Sequence, residues 1–229
     1  MPAGSWWAEQ APGLLAVAGW LAVLALLALA VRRRWPEQRE WSRKVVHVGS
    51  GLVVPIAWAC GVDRALAVPA AGLITVVAAL NHRVQVLPAI EDVERRSYGT
   101  IAYGASITLL LLLWWPARPE VVTAGVLVMA LGDGAAGLVG PALNSPGWTV
   151  LGQRRSVAGT AAMGLASLLV LVGLAAAVQA GQGVGAPAAG GLLLITTVAV
   201  LLEQVAVGGI DNLTVPLAVA VLWSRLASA

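Results

Sequence analysis

The sequence has 229 residues, of which 59% are hydrophobic and only 11% are charged, and its mean hydropathy is +0.85. Soluble domains carry about 25% charged residues, so this composition excludes an ordinary water-soluble domain. It also excludes intrinsic disorder, a disulfide-rich secreted scaffold and a main role in nucleic-acid binding, despite the net charge of +3. We therefore expect an integral membrane protein.

Eight nearly charge-free windows are long enough to be membrane-spanning helices, since a bilayer core requires roughly 20 apolar residues of helix. They lie at about 13–31, 45–62, 65–82, 100–117, 121–141, 157–178, 187–207 and 209–226. The sequence therefore predicts an all-α integral membrane protein with about eight transmembrane helices. We expect residues 1–229 to form a single polytopic domain.

The Lys and Arg residues are distributed unequally among the segments that join these windows. With the N-terminus outside, 11 of the 14 basic residues fall on the cytoplasmic side and 3 on the other. Because cytoplasmic loops of membrane proteins are enriched in Lys and Arg, both termini are predicted outside. The polar residues 81–98 are predicted as an interfacial segment, and residues 142–158 as a second long cytoplasmic loop.

Four ionisable residues fall within or beside the apolar windows, all toward the predicted cytoplasmic side: His47, Asp133, Glu203 and Asp211. Ionisable side chains in a membrane are energetically costly and are therefore functional candidates. Simpler roles remain open. Asp211 could cap the last helix, Glu203 could pair with an arginine, and His47 could be an interfacial histidine without a catalytic role.

Small residues surround one of these acids. Gly132, Ala136 and Gly140 recur at every fourth position around Asp133. This spacing is typical of close packing between membrane helices, which accounts for the small residues but not for the acid among them. Glycines beside an acid also permit a phosphate group or another backbone to approach closely.

Two carboxylates near several cations suit a phosphate-handling site. Asp and Glu can hold Mg²⁺ while substrate phosphates complete its oxygen shell, and arginine offers bidentate donors to phosphate. The usual P-loop is excluded, because the single lysine, Lys44, follows no Gly-rich motif. Zinc-protease and Cys/His metal spacings are also absent from the sequence. The residues thus indicate a membrane phosphate site without a Walker motif.

Five segments, in this order, resemble the polyprenol/phytol/dolichol kinase family, which is related to the CDP-diacylglycerol synthases. They are Arg43–Gly49, Glu94–Thr100, Gly132–Ala135, Arg154–Thr160, and Glu203 together with Asp211–Pro216. Each segment is weakly specific by itself, whereas the ordered set is specific. The chain departs from the family at Arg155, where family members often have lysine immediately before the serine.

The resemblance implies a kinase that transfers the terminal phosphate of CTP to a membrane-embedded prenyl alcohol such as phytol. It implies a cytoplasmic active site in which Asp133 and Asp211 bind Mg²⁺ and phosphate. The general base is left open between His47 and Glu203. The candidate phosphate- and nucleotide-binding residues are Lys44, Gly132, Gly134, Arg154, Arg155, Ser156, Gly159, Thr160 and Asn212.

Several alternatives remain open. The acceptor could instead be diacylglycerol or a dolichol or polyprenol. A CDP-lipid cytidylyltransferase would use the same metal and nucleotide, but its lipid phosphate substrate would attack the α-phosphate. A membrane transporter would also carry acids within the membrane, although no internal repeat is visible in the sequence. The sequence leaves the oligomeric state open.

Overall fold

The structure is a computed structural model that describes residues 3–84, 98–181 and 185–227. In the described residues the regular elements are helices and one short β-hairpin. The elements in chain order are α1 (Ala3–Arg34), α2 (Arg39–Gly51), α3 (Val53–Ala59), α4 (Arg64–Val84), α5 (Gly99–Trp114), α6 (Pro119–Leu127), a π-helical segment (Val128–Asp133), α7 (Gly134–Ala142), β1 (Gly147–Val150), β2 (Gln153–Ser156), α8 (Val157–Ala180), α9 (Ala189–Val205) and α10 (Asp211–Leu226).

Several helices have the length and composition of membrane spans. In the described part of the chain, four stretches are long and apolar enough to cross a bilayer: Ser5–Arg34, Arg64–Arg83, Pro119–Ala142 and Val157–Ala180. Two further apolar helices, Gly99–Trp114 and Ala189–Val205, are shorter. These findings agree with a helical membrane protein, and the total of about eight crossings stays a prediction.

The core is centred on α6 and the π-helical segment. Val121, Val122, Val126 and Met129 are fully buried there, because α5, α8 and α10 pack around this continuous stretch. By contrast, α1 packs mainly on α2 and α3, and α4 packs on α5, so both outer helices leave most of their apolar side chains exposed. An exposed apolar surface of this kind suits contact with lipid chains.

Distant segments meet at two opposite ends of the helices. At one end, the backbone N–H of Asp63 donates to Gln10 Oε1 at 2.7 Å, and Arg118 Nη1 donates to the Ser224 carbonyl at 3.1 Å. At the other end, the residue before α5 and the loop before α10 share a main-chain hydrogen bond of 3.1 Å. The candidate site residues lie at this second end.

The predicted helix over 45–62 is divided in two. The α2 helix ends at Gly51, and α3 begins after Leu52. Pro55 lies in the first turn of α3, where its missing N–H cannot donate to the carbonyl of Gly51. A proline is therefore tolerated in the first turn of a new helix, whereas it would interrupt the backbone hydrogen bonds of one continuous helix.

Residues 142–158 contain a β-hairpin, which corrects the expectation of an entirely α-helical chain with a loop here. Strands β1 and β2 are antiparallel, and Trp148 lies opposite Arg155. The connecting residues Leu151 and Gly152 both have positive φ, 47° and 78°, as required by the tight turn that suits a twisted hairpin. Of the predicted interfacial segment, residues 81–84 continue α4, and residues 85–97 lie outside the described residues.

Candidate functional site

Asp133 ends the π-helical segment and contacts two side chains of α2. Lys44 Nζ donates to Asp133 Oδ2 at 2.7 Å and to the Asp133 carbonyl at 3.2 Å. His47 Nε2 lies 3.3 Å from the same Oδ2, without the geometry of a hydrogen bond. Lys44 and His47 share a helix face because they are three residues apart. The structure therefore brings three sequence-predicted site residues together.

Glycines permit this close contact between α2 and the helix that carries Asp133. A Cβ atom on Gly137 would lie 2.5 Å from Lys44 Cε, and one on Gly134 would lie 2.4 Å from Val48 Cγ2. Both distances are too short for real carbon atoms. Gly132 packs equally closely against α8 side chains. The space beside Gly132 and Gly134 is thus occupied by protein side chains, and their contact with nucleotide stays a prediction.

Ser156 and Gly159 organise the start of α8. Ser156 Oγ accepts a hydrogen bond from the Gly159 backbone N–H at 3.2 Å and so caps this helix. A Cβ atom on Gly159 would lie 3.3 Å from both Gly140 Cα and the Ala136 carbonyl oxygen. The predicted packing of small residues is therefore present between α7 and α8. A phosphate-binding role for Ser156 and Gly159 stays a prediction.

Arg155 joins the hairpin to the C-terminal end of α9. Its Nη1 donates to Glu203 Oε1, and its Nη2 donates to the carbonyls of Glu203 at 2.6 Å and Ala206 at 3.2 Å. The alternative that Glu203 pairs with an arginine is confirmed. Arg155 also satisfies carbonyls at a helix end, where partners within the helix are lacking. The adjacent Arg154, whose side chain leaves the opposite face of the strand, is exposed.

Gln204 was not among the residues predicted from the sequence. Its Nε2 donates to Thr160 Oγ1 at 3.0 Å and to Glu203 Oε2 at 2.8 Å. It therefore connects the predicted phosphate-binding segment to the buried acid. The available sequence signal was a second polar residue directly after Glu203, at the end of an otherwise apolar window.

Asp211 is the first residue of α10 and is only 9% exposed. Gly208 and Gly209 precede it with positive φ of 66° and 88°, which reverses the chain direction at this point. No side-chain hydrogen bond caps α10, so the capping alternative for Asp211 finds no support. Asn212 Nδ2 donates to Asp211 Oδ1 at 3.3 Å. A carboxylate in the first helical turn is favoured by the helix dipole.

The three acids form one electrostatic cluster. Glu203 lies close enough to both Asp133 and Asp211 for their charges to interact. Asp211 in turn interacts with Asp133 and with the guanidinium of Arg155. Like charges repel each other, so a cation that neutralises part of this negative charge would be favoured here. The acids predicted from separate parts of the sequence are therefore brought to one place.

Several unsatisfied polar atoms lie on residues of the candidate site. Among the described residues, four buried site atoms make no hydrogen bond: His47 Nε2, Arg155 Nε, Gln204 Oε1 and Asn212 Oδ1. A buried polar atom without a partner costs about 1–3 kcal/mol. Hydrogen-bond donors and hydrogen-bond acceptors thus both remain available to a polar ligand.

The oxygen atoms of the site suit a magnesium ion that takes only a few of its ligands from the protein. Within the described residues, no group of three or more His, Cys, Asp or Glu side chains is arranged to hold a metal ion. Mg²⁺ often uses one or two carboxylates and completes its shell with phosphate oxygens and water. Asp211 and the free Asn212 Oδ1 offer suitable oxygens. Asp133 can contribute too, although Lys44 already contacts its Oδ2.

Comparison with known proteins finds one relevant similarity. The chain is 37% identical over 216 residues to the phytol kinase of Synechocystis sp., an alignment that covers 90% of this chain and 88% of that protein. No family model matches the chain. No solved structure matches it either.

Proposed function

Because the chain belongs to the phytol and polyprenol kinase family, we propose that it transfers the terminal phosphate of CTP to the hydroxyl of a prenyl alcohol such as phytol. The observation that carries this proposal is the joint location of Lys44, Asp133, Arg155, Glu203 and Asp211 at one end of an apolar helical bundle. Phosphoryl transfer requires positioned charges rather than covalent catalysis, and this cluster supplies both signs of charge.

Asp133 and Asp211 are the residues that would hold Mg²⁺, with Asn212 beside them. When bound, the ion would neutralise charge on the nucleotide phosphates. Lys44 orients the Asp133 carboxylate and is close enough to give a phosphate a point charge. The guanidinium of Arg155 compensates the negative charge of Glu203. Arg155 Nε makes no hydrogen bond and adds a further donor for the nucleotide.

His47 is the better of the two candidate bases. Its Nε2 makes no hydrogen bond among the described residues, whereas both carboxylate oxygens of Glu203 already accept hydrogen bonds from Arg155 and Gln204. In the proposed step, the acceptor oxygen forms a bond to the terminal phosphorus while the bond from that phosphorus to the leaving nucleoside diphosphate breaks. The hydroxyl proton goes to His47 Nε2.

The proposed site lies at the cytoplasmic ends of about eight membrane crossings, with both termini outside. Two observations support this arrangement. Eleven of the 14 basic residues fall on the cytoplasmic side of it. The segments proposed to be outside also contact one another at the end of the bundle opposite the acids, as Arg118 and Ser224 do. A prenyl alcohol could then reach the acids laterally from the bilayer.

The test is a matrix of γ-labelled CTP, ATP, GTP and UTP against phytol, farnesol, geranylgeraniol, undecaprenol and diacylglycerol. We expect CTP with a C15–C20 prenol to exceed every other pair by at least about tenfold, or about 1.4 kcal/mol of discrimination. Diacylglycerol as the best acceptor would retain a kinase but refute the phytol-like assignment. Release of pyrophosphate with a CDP-lipid would instead identify a cytidylyltransferase. No labelled lipid with any pair, in membranes supplied with Mg²⁺, would refute the proposed function.

A further inference from the structure

Tyr103 lies on α5 beside His47 and belongs to none of the motifs that predict the site. Its side chain is buried, with 6% exposure. The rings of Tyr103 and His47 have centroids 4.5 Å apart and planes inclined at 37°. The two residues come from α5 and α2, which are separated in sequence by the whole of α4. This ring contact places Tyr103, for which the sequence motifs predict no role, next to His47, the candidate base.

The hydroxyl of Tyr103 has no partner that satisfies it. Among the described residues Tyr103 Oη makes no hydrogen bond of acceptable geometry, and neither does the neighbouring His47 Nε2. The Ser50 hydroxyl lies near Tyr103 Oη, but it donates its own hydrogen bond to the His47 carbonyl at 3.0 Å. Asp133 is close enough to interact electrostatically with both side chains. Leaving a buried hydroxyl unsatisfied is unfavourable, so a phenylalanine would suit this position better unless the oxygen binds something.

Small residues surround this hydroxyl. A Cβ atom on Gly51 would lie 3.1 Å from Tyr103 Oη and 2.4 Å from Ala130 Cβ. The oxygen thus lies where α2 crosses the π-helical segment, next to a backbone without a side chain. Further along α5, the buried Ser106 hydroxyl donates to the Tyr103 carbonyl, and Leu110 and Leu111 are buried about two turns beyond Tyr103.

One unsatisfied hydroxyl beside a helix with buried leucines matches the chemistry of one class of ligand. A prenyl alcohol has a long hydrocarbon chain and one hydroxyl, so it requires few polar partners. A nucleoside triphosphate requires many, and Arg155, Gln204 and Asn212, which lie on β2, α9 and α10 rather than on α2 or α5, retain polar atoms without a partner. The two sides of the acid cluster therefore differ in the ligand that they suit.

We propose that Tyr103 Oη hydrogen-bonds to the hydroxyl oxygen of the lipid-alcohol acceptor and fixes it beside His47. This assigns the α2–α5 side of Asp133 to the acceptor and makes Tyr103 a substrate-binding residue. The inference rests on the proposed function, since it names the acceptor subsite of the same reaction.

Tyr103→Phe tests this directly, because it removes one oxygen and keeps the ring that contacts His47. Thr108→Val is the matched control, since it also removes one hydroxyl from α5, which in Thr108 donates to the Gly104 carbonyl at 2.9 Å. We expect Tyr103→Phe to raise the KM for the prenol about three- to tenfold, the worth of one hydrogen bond, and to leave the KM for the nucleotide unchanged. Thr108→Val should change neither KM.

A binding measurement separates this inference from the proposed function. Detergent-purified protein is titrated with phytol and with phytane, the saturated hydrocarbon without the hydroxyl, and its thermal stabilisation is followed. The wild type should bind phytol more tightly than phytane, and Tyr103→Phe should lose most of this preference. If the Phe variant keeps the preference, or if both KM values rise together, the inference is wrong while the kinase stands. If the wild type phosphorylates no lipid, the proposed function fails, and the phytol–phytane comparison still decides the role of Tyr103.

Discussion

Lys44 Nζ contacts Asp133 at two points, Oδ2 at 2.7 Å and the carbonyl oxygen at 3.2 Å, although 89 positions separate the two residues. Both side chains are largely buried, with 13% and 19% exposure. The only lysine of the chain is thus committed to the acid that the motifs place at the centre of the site. This pair orients the Asp133 carboxylate before any ligand binds.

Removing Lys44 should destabilise the protein, because the Asp133 carboxylate would lose its ion-pair partner. We expect Lys44→Met to lower the free energy of unfolding by about 1–3 kcal/mol, the cost of an unsatisfied polar group, because an uncompensated carboxylate would remain in a largely buried position. Adding Asp133→Asn to Lys44→Met should recover part of this loss. Thermal unfolding in detergent measures both effects.

Arg43→Met provides the matched control, since Arg43 pairs with Glu40 at a more exposed position on the same helix. Its loss should cost less than about 0.5 kcal/mol, as for other exposed ion pairs. Equal effects of the two substitutions, or further destabilisation in the double variant, would contradict the structural role of the Lys44–Asp133 pair.

Asp133→Asn and Asp211→Asn should each abolish turnover while the protein still inserts and purifies normally. Each substitution keeps the shape of the side chain and removes the charge that would hold Mg²⁺. The measurement is kcat at saturating nucleotide and prenol. Asp63→Asn, at the opposite end of the bundle, should retain wild-type kcat. An Asn variant at 133 or 211 that keeps more than about a tenth of kcat, a loss below about 1.4 kcal/mol, would exclude that residue as a metal ligand.

Arg155→Ala should chiefly weaken nucleotide use, and Arg155→Lys should be milder. The Ala variant loses the contacts with Glu203 and with two carbonyls at the end of α9, whereas lysine keeps the charge but not the planar fork. We expect the KM for the nucleotide to rise more than about tenfold for Ala, as for loss of a charged hydrogen-bonding partner. Arg154→Ala, on the exposed face of the same strand, is the control. A larger effect at Arg154 would reassign the nucleotide contact to that residue.

Gly137→Ala should impair activity through Lys44. The added methyl group would lie 2.5 Å from Lys44 Cε and Nζ, so the lysine would have to leave Asp133. We expect kcat to fall at least about tenfold, because a small misplacement of a charged group strongly affects phosphoryl transfer. Gly173→Ala is the control, because a Cβ atom there meets nothing within 4 Å, and its activity should be unchanged. Equal activity of the two variants would show that the Lys44 contact is dispensable.

The proposed topology is tested by cysteine labelling after Cys60 is replaced by Ser. Single cysteines at Gln38, Ala117, Thr149 and Gly181 occupy exposed positions between helices or at the hairpin. An impermeant thiol reagent applied to intact cells should label positions 117 and 181 only, because the positive-inside rule assigns these to the outside. Labelling at 38 or 149 would contradict the cytoplasmic location of the site.

The sequence predicted the helical membrane class and the four ionisable residues that meet at the site, because both depend on composition and on the cost of charge in a membrane. The sequence could not predict which side chains these four residues contact. Lys44 and Asp133 are joined by packing of glycines against α2, and Tyr103 reaches His47 only once α5 and α2 are adjacent. Such long-range contacts leave no local pattern.

Local structure was missed where the signal is weak. The hairpin depends on a turn in which Leu151 adopts a positive φ that only glycine and a few polar residues favour, so the sequence gives no clear indication of it. The division between α2 and α3 had a visible cause in Pro55, which a search for long apolar windows disregards. Gln204 carries no charge, so the cost of placing an ionisable group in a membrane does not mark it.

The π-helical segment that ends at Asp133 restricts changes in the length of the chain as well as changes of residue type. A π-turn within an α-helix contains an additional residue, and each residue of an α-helix turns the chain by about 100°. Deleting one residue between Val128 and Asp133 would leave a regular helix but would rotate Asp133 and Gly134 away from their present partners on α2, Lys44 and Val48. Insertions and deletions should therefore not be tolerated in these six residues.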